Sequence, residues 1–160
     1  MKSNITIDKP NPIDASELSE VMRASKKHWG YPDEWLKLWE NDLTINPEII
    51  RSRDFYVGRI NEEIVFFYSI RQLSENRFEL EDCWVAPQHI GQGYGRILFE
   101  HLISRLRSLE CSKLLIEAGP HAEGFYRKMG AIRIGEKPSK IEGRMMPMLE
   151  YYIKKFPVLH

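Results

Sequence analysis

Cysteine is scarce. Only Cys83 and Cys111 occur in 160 residues, far apart and without a metal-ligand spacing. Two reduced thiols fit a cytoplasmic protein rather than a disulfide framework. Long apolar runs are missing too. None approaches the ~18–20 residues that cross a bilayer, so no membrane is expected. The first ten residues, MKSNITIDKP, lack the apolar centre of a secretory leader. Neither sign of charge is in excess. Lys+Arg and Asp+Glu are 23 each, so the net charge is zero. That argues against nucleic acid, which asks for a basic footprint, and gives no steering toward a charged partner. The five histidines form no metal set. His101 falls on a polar helix face, His160 is terminal, and His28 and His89 suit a surface or a ligand contact. No repeat, low-complexity tract or linker divides the chain, so 1–160 is expected as one domain with a core at about 4–153 and a loose tail at 154–160.

The stretch Glu79–Leu98, ELEDCWVAPQHIGQGYGRIL, organises the rest. Phe78 to Val85 is rich in strand formers and ends at Pro87, which cannot continue a ladder. Gly91, Gly93 and Gly95 follow at every second position, and a helix starts at once. Glycine lets backbone N–H groups turn toward a ligand without a Cβ in the way. The helix start adds free N–H groups and the positive end of its dipole. A strand, glycine turn and helix in this order suit a phosphate or pyrophosphate.

The remaining elements follow from periodicity. Asn4–Ile7 predicts a short strand ended by Pro10 and Pro12. Asp14 and Glu17 read as a capping box, with Ile13 and Leu18 as a hydrophobic staple. Leu18, Val21, Met22 and Ser25 make one helical face to about Lys27. Gly30 breaks that helix, and Pro32 starts another carrying Trp35, Leu38 and Trp39. Asn46-Pro47 starts a third, with Ile49 and Ile50. The segment His28–Trp39 holds three of the four tryptophans. They either pack this layer on a sheet or, with Trp29, Tyr31 and Trp35, line a small-molecule pocket. Phe55–Ile60, Ile64–Ile70 and Arg77–Val85 predict three antiparallel strands, with turns at 61–63 and 73–76. A helix from Tyr94 to Ser108 buries Leu98, Leu102, Leu106 and Leu109. Lys113–Glu117 then lies parallel to 77–85. A helix over 120–129 ends at Gly130. Strands over 131–135 and 145–153 close a mixed α/β sheet with helices on both faces.

Three phosphate turns compete. Without G-K-[ST] a P-loop is out. A dinucleotide fingerprint needs G-x-G-x-x-G, and the third glycine here is misplaced, although Glu117 lies at a suitable distance for the ribose acid. The third choice rests on two motifs. Val85-x-Pro87-x-x-x-Gly91-x-Gly93-x-Gly95 followed by Arg96 resembles motif A of the GNAT superfamily of acetyl-CoA-dependent N-acetyltransferases. EAGPHAEGFYRKMGA (Glu117–Ala131) resembles its second signature. The resemblance covers residues 4 to about 153. It implies a mostly antiparallel central sheet whose splayed strand pair holds the acyl-CoA arm. Two positions depart from the pattern. Ile90 stands where Arg or Gln is usual, and His121 where Asn is usual.

From this resemblance come the expected roles. Trp84 and Val85 would present backbone groups to acetyl-CoA, with Val85 N–H donating to the thioester oxygen. Ile90, Gly91, Gln92, Gly93, Tyr94, Gly95 and Arg96 would hold the pyrophosphate. His121 and Phe125 would touch the pantetheine arm. Tyr126 would be the general acid, its other reading being a packed aromatic. An alkyl amine of pKa ~10.4 is only about one part in 2,500 neutral at pH 7, a deficit of roughly 4.6 kcal/mol, so a base is needed. Glu79 or Glu81 would serve, unless they merely pair with Arg71 or Arg77. Asp82 points the other way. Arg144 and Glu150 border the acceptor side only weakly. The expected activity is direct acetyl transfer from acetyl-CoA to a primary amine of a small molecule or peptide. The alternative is a non-catalytic acyl-CoA-binding sensor or partner module. The resemblance also allows a homodimer through the last strands.

Overall fold

The computed structural model describes residues 4–141 and 143–154. The expected tail, His160 included, lies outside the described residues from position 155 on. Seven strands form one sheet in the order β1-β2-β3-β4-β5-β7-β6. They are β1 (Ile5–Asp8), β2 (Asp54–Ile60), β3 (Glu63–Ser74), β4 (Arg77–Val85), β5 (Lys113–Glu117), β6 (Ile132–Pro138) and β7 (Met145–Tyr152). Five helices accompany them: α1 (Ala15–His28), α2 (Asp33–Leu38), α3 (Pro47–Ser52), α4 (Tyr94–Ser108) and α5 (Glu123–Lys128). This is the expected mixed α/β, mostly antiparallel architecture. The chain divides into two compact units, one of residues up to 70 with 81–98, the other of residues 71–80 with those from 99 on.

In the first unit, β1 runs antiparallel to β2, from Ile5↔Ile60 to Asp8↔Val57. β2 runs antiparallel to β3 through the two-residue turn Asn61-Glu62. Asn61 takes a left-handed φ of 55°, which an asparagine tolerates in a tight turn. All seven residues from Ile64 to Ile70 are buried, so this strand is covered on both faces, as its unbroken apolar run requires. Helix α1 buries Ala15, Leu18, Ser19, Met22 and Ser25. Its buried serines are satisfied. Ser19 Oγ accepts from Ile45 N–H at 2.8 Å, and Ser25 Oγ donates to the Val85 carbonyl at 2.7 Å.

In the second unit, the first half of β4 lies parallel to β5, Arg77↔Lys113 to Leu80↔Ile116. β5 runs antiparallel to β7, and β7 to β6, so the last strand in sequence is inserted between its predecessors. The unit's core gathers Phe99, Leu102, Leu106, Leu114, Ile116, Tyr126 and Leu149. β6 is exposed along its whole length and ends the sheet. Arg133, Glu136, Lys137 and Pro138 discourage further strand pairing there.

Several local expectations are corrected. The staple fails, because Ile13 is 88% exposed while Leu18 is fully buried. The capping contact sits one turn earlier, where the Asp14 carboxylate accepts from Asn11 N–H at 2.8 Å and a 3-10 turn of Pro12–Asp14 leads into α1. Pro32 caps α2 rather than opening it, and the helix ends at Leu38. Six residues turn too little chain to bury Leu38, which is 51% exposed, so only Trp39 reaches the core. Residues 120–122 close a turn, Ala122 N–H to Gly119 O, and shorten α5.

Gly58 sits opposite Phe66 in the β2–β3 register. A Cβ there would meet the Phe66 ring at 2.6 Å, and Phe66 is fully buried. Gly58→Ala is therefore expected to lower stability by about 1–3 kcal/mol in urea unfolding. Phe66→Leu in the same chain should recover part of that loss. Additive losses would show that the two side chains do not compete for the space.

Candidate active site

The glycine turn is built as the sequence implies. β4 ends at Val85, Ala86 N–H donates to the Val65 carbonyl at 2.8 Å, and Pro87–His89 makes one 3-10 turn. Gly91 and Gly93 follow with φ of 80° and 88°, a region closed to most L-residues. The first hydrogen bond inside α4 is from Ile97 N–H to Gly93 O, at 3.5 Å. The N–H groups of Tyr94, Gly95 and Arg96 come before it, where a helix has no internal acceptors to offer. Gly91, Gln92, Gly93 and Arg96 are exposed, and a Cβ at Gly91 would meet nothing within 4 Å. The result is an exposed glycine turn leading into the positive end of a 15-residue helix.

A brace holds the turn from outside, and the sequence gives no sign of it. Glu63, at the start of β3, accepts from Gln88 Nε2 at 2.9 Å and meets His89 Nε2 at 3.1 Å. The His89 ring stands edge-on to Tyr94 with centroids 5.5 Å apart. Gln92 Nε2 reaches back to the Gln88 carbonyl at 3.2 Å. The hydrogen bonds from Gln88 and His89 hold the Glu63 carboxyl below its ordinary range.

Strand β4 sorts its acids by face. Phe78, Leu80 and Asp82 are buried, whereas Glu79, Glu81 and Cys83 are half-buried. Glu79 pairs with Arg71 Nη2 at 2.9 Å, the pairing that sequence left open. Glu81 shares its face. Asp82 on the other face is the buried acid, accepting from Ser69 Oγ and from Arg53 Nη1 at 2.9 Å. Arg53 escaped the sequence reading, because 29 residues separate it from its partner.

The expected aromatic wall divides. Tyr31 and Trp35 lie together with Trp39, centroids 5.1–5.9 Å apart. Trp29 is exposed and stands against His28 instead. Lys26 Nζ lies 4.3 Å from the Trp39 centroid, 5.0 Å from that of Tyr31 and 6.0 Å from that of Trp84. Trp84 Nε1 is shut off from solvent and has no hydrogen-bond partner among the described residues.

The second unit carries the other expected residues. Tyr126 is buried on α5, with its ring near Phe99 and Phe125. Phe125 is half-buried and His121 lies exposed in the preceding turn. Arg144 is half-buried, its N–H donating to Ile141 O and its carbonyl accepting from Ser139 N–H. Glu150 is buried and held by Lys113 at 3.5 Å and Arg77 at 3.8 Å, so its charge is committed within the sheet. Burial pushes the Cys111 thiol up, which makes it a poor nucleophile.

Two predictions follow from these contacts. Arg53→Met strands the Asp82 carboxylate and should cost about 3 kcal/mol in urea unfolding, with Asp82→Asn in the same chain recovering much of it. Glu63 is a depressed acid, so its bonds favour the folded state above the unfolded carboxyl's pKa and are lost as pH falls through the lowered folded value. Glu63→Gln should therefore flatten the acid limb of the stability profile as pH falls below the ordinary carboxylate range. An unchanged limb would show that the brace does not titrate.

Comparison with known proteins places this geometry. The sequence model of the acetyltransferase (GNAT) family matches residues 16–131. The uncharacterized N-acetyltransferase ycf52 of Porphyra purpurea is 35% identical over 65 residues, 39% of this chain and 37% of that protein. The chain thus aligns with well under half of this relative's length. The structure is similar to the PaiA N-acetyltransferase of Thermoplasma acidophilum in complex with coenzyme A, with TM-score 0.73, 20% identity and coverage of 92% and 98%. It is also similar to yncA of Salmonella typhimurium with its cofactor acetyl-CoA, with TM-score 0.68, 17% identity and 99% coverage of both chains. At such identities the structures speak for the fold. The family match spans most of the chain, from α1 to the start of β6, and includes the glycine turn and Tyr126: this chain belongs to the acetyltransferase (GNAT) family.

Proposed function

We propose that the chain transfers the acetyl group of acetyl-CoA directly to a primary amine of a small molecule or peptide. The observation that carries this reading is the exposed, left-handed glycine turn from Gly91 to Gly93 at the start of α4. A pyrophosphate fits it, because the glycines leave room and the helix end supplies positive potential. Ile90 brings no charge, so the backbone does most of the holding. Acetyl-CoA supplies the activated acyl group. Val85 N–H donates to the thioester oxygen as charge builds there. The Ser25–Val85 hydrogen bond holds the next peptide, through the Val85 carbonyl.

Tyr126 gives its phenolic proton to the departing thiolate, as a group of pKa ~10 can at neutral pH. Glu81 takes the proton of the incoming ammonium, directly or through water. Glu79 is the weaker base, because the Arg71 guanidinium favours its charged form. Transfer is direct, and an acyl-cysteine at Cys111 is disfavoured because burial raises that thiol.

Thiol release from acetyl-CoA with a panel of amines, run beside calorimetric CoA binding, tests the reading. Tyr126→Phe is expected to leave CoA affinity intact and to lower turnover by about 10²–10⁴. Gly93→Ala should instead weaken CoA binding, since alanine is strained at that φ. CoA binding with no turnover for any amine would favour the acyl-CoA-binding module. Absence of CoA binding would overturn both.

A further inference from the structure

Gly91, Gln92 and Gly93 are exposed, and both glycines sit at left-handed φ. Glycine loses more conformational freedom on ordering than any other residue, so the shape of this turn depends on what fixes its two flanks. Both flanks lead back to one carboxylate. Glu63 Oε1 accepts from Gln88 Nε2 at 2.9 Å and meets His89 Nε2 at 3.1 Å. An ionised carboxylate has no hydrogen to give, so the imidazole is the donor there. From Gln88 the connection runs to Gln92, whose Nε2 donates to the Gln88 carbonyl at 3.2 Å and so spans Gly91. From His89 it runs to Tyr94, the first residue of α4, whose buried ring stands edge-on at 5.5 Å. One arm ends between the two glycines, and the other just beyond them.

Glu63 is itself well anchored. It opens β3 opposite Ile60 of β2, and every residue from Ile64 to Ile70 behind it is buried. Val65 of the same strand receives the Ala86 N–H at 2.8 Å. That backbone bond sets where the chain leaves the sheet, and the Glu63 carboxylate sets the orientation of the residues that follow. As a charge, a carboxylate bonded to the approach of a phosphate turn is unfavourable, because like charges repel. As an ion pair on the surface, Glu63 with His89 adds little stability. Its two accepted hydrogen bonds have another use. A loop held in its bound shape before the ligand arrives avoids the cost of being ordered by it.

We propose that Glu63 is a positioning residue for the CoA pyrophosphate: through Gln88 and His89 its carboxylate holds the Gly91–Gly93 turn in the shape that the cofactor takes. This rests on the acyl-transfer reading above and adds to its cofactor site a residue outside the glycine motif. Glu63 acts through these neighbours and moves no proton in the reaction. What it supplies is an acceptor oxygen at a fixed place, not a charge.

The test measures CoA affinity of the full chain by calorimetry, with urea unfolding of each variant alongside. Glu63→Ala removes the acceptor and should weaken CoA by about three- to tenfold, as the loss of one or two hydrogen bonds does. Glu63→Gln keeps a side-chain oxygen with two lone pairs for Gln88 and His89, and should bind CoA within about twofold of the natural chain. Glu62→Ala removes the same charge from the neighbouring exposed residue and should not weaken binding. Gln88→Ala should weaken CoA as well, and the double variant Glu63→Ala with Gln88→Ala should lose less than the sum of the two. Undiminished or tighter CoA binding by Glu63→Ala would overturn the proposal. So would equal losses in the Ala and Gln variants, since charge would then be what the residue brings. Should Glu63→Ala fail to fold, Gln88→Ala on the exposed side of the contact decides, and full CoA affinity there would overturn the proposal. Acyl transfer stands in each of these cases, because the natural chain binds CoA in all of them. A natural chain that does not bind CoA would overturn the acyl-transfer reading, and this positioning role with it.

Discussion

The hydrogen bond from Ser25 Oγ to the Val85 carbonyl decides where β4 stops. Beyond it one more hydrogen bond reaches β3, and the ladder ends. Ala86 N–H is spent on Val65, and Pro87 has no N–H to give. The chain must therefore turn, and it does so through one 3-10 turn and two left-handed glycines straight into α4. The exposed turn before the helix exists because the strand ends abruptly. The same bond ties α1 to the strand end, so Lys26 comes to stand beside the ring of Trp84. One serine hydroxyl on a buried helix face thus ties both the glycine turn and the aromatic cluster to one strand end.

Much of this was legible in the chain because it is local. The glycine spacing, the stop at Pro87 and the 15 residues of α4 follow from neighbours along the sequence, and α4 occupies the predicted Tyr94–Ser108. The run from Ile64 to Ile70 announced a strand, and the structure covers it on both faces. What escaped is long-range. Glu63 braces a turn 25 residues away, and Arg53 neutralises an acid 29 residues away. No period or motif encodes such pairs, since only the sheet register brings them together. Short elements also misled. A six-residue α2 does not sustain a helical face, so the spacing that promised a buried Leu38 delivered only Trp39.

Strand β4 shows why three neighbouring acids need not share a role. Alternation sends Asp82 to the buried face, where a lone carboxylate would be costly, and Arg53 and Ser69 answer it. Glu79 and Glu81 face the other way and remain half-buried. Arg71 keeps Glu79 anionic, which suits a fixed charge better than a proton acceptor. Sequence could count the acids and assign their faces. The partners then distinguish Asp82, held by Arg53 and Ser69, from Glu79, held by Arg71.

Zero net charge is a statement about sums, and the molecule works with local fields. Many of its charges are used in pairs: Arg59 with Asp14 and Glu17, Arg133 with Glu123 and Glu136, Lys137 with Glu117. Such surface pairs add little stability, but they leave little long-range field, and salt screens what remains beyond about 10 Å. Fixed local fields then come from groups whose positions are set by backbone or by packing. The N-terminus of α4 is one, oriented by its own hydrogen bonds. Lys26 is another, placed among the rings of Trp39, Tyr31 and Trp84. Charges held in this way act over a few ångströms rather than at long range.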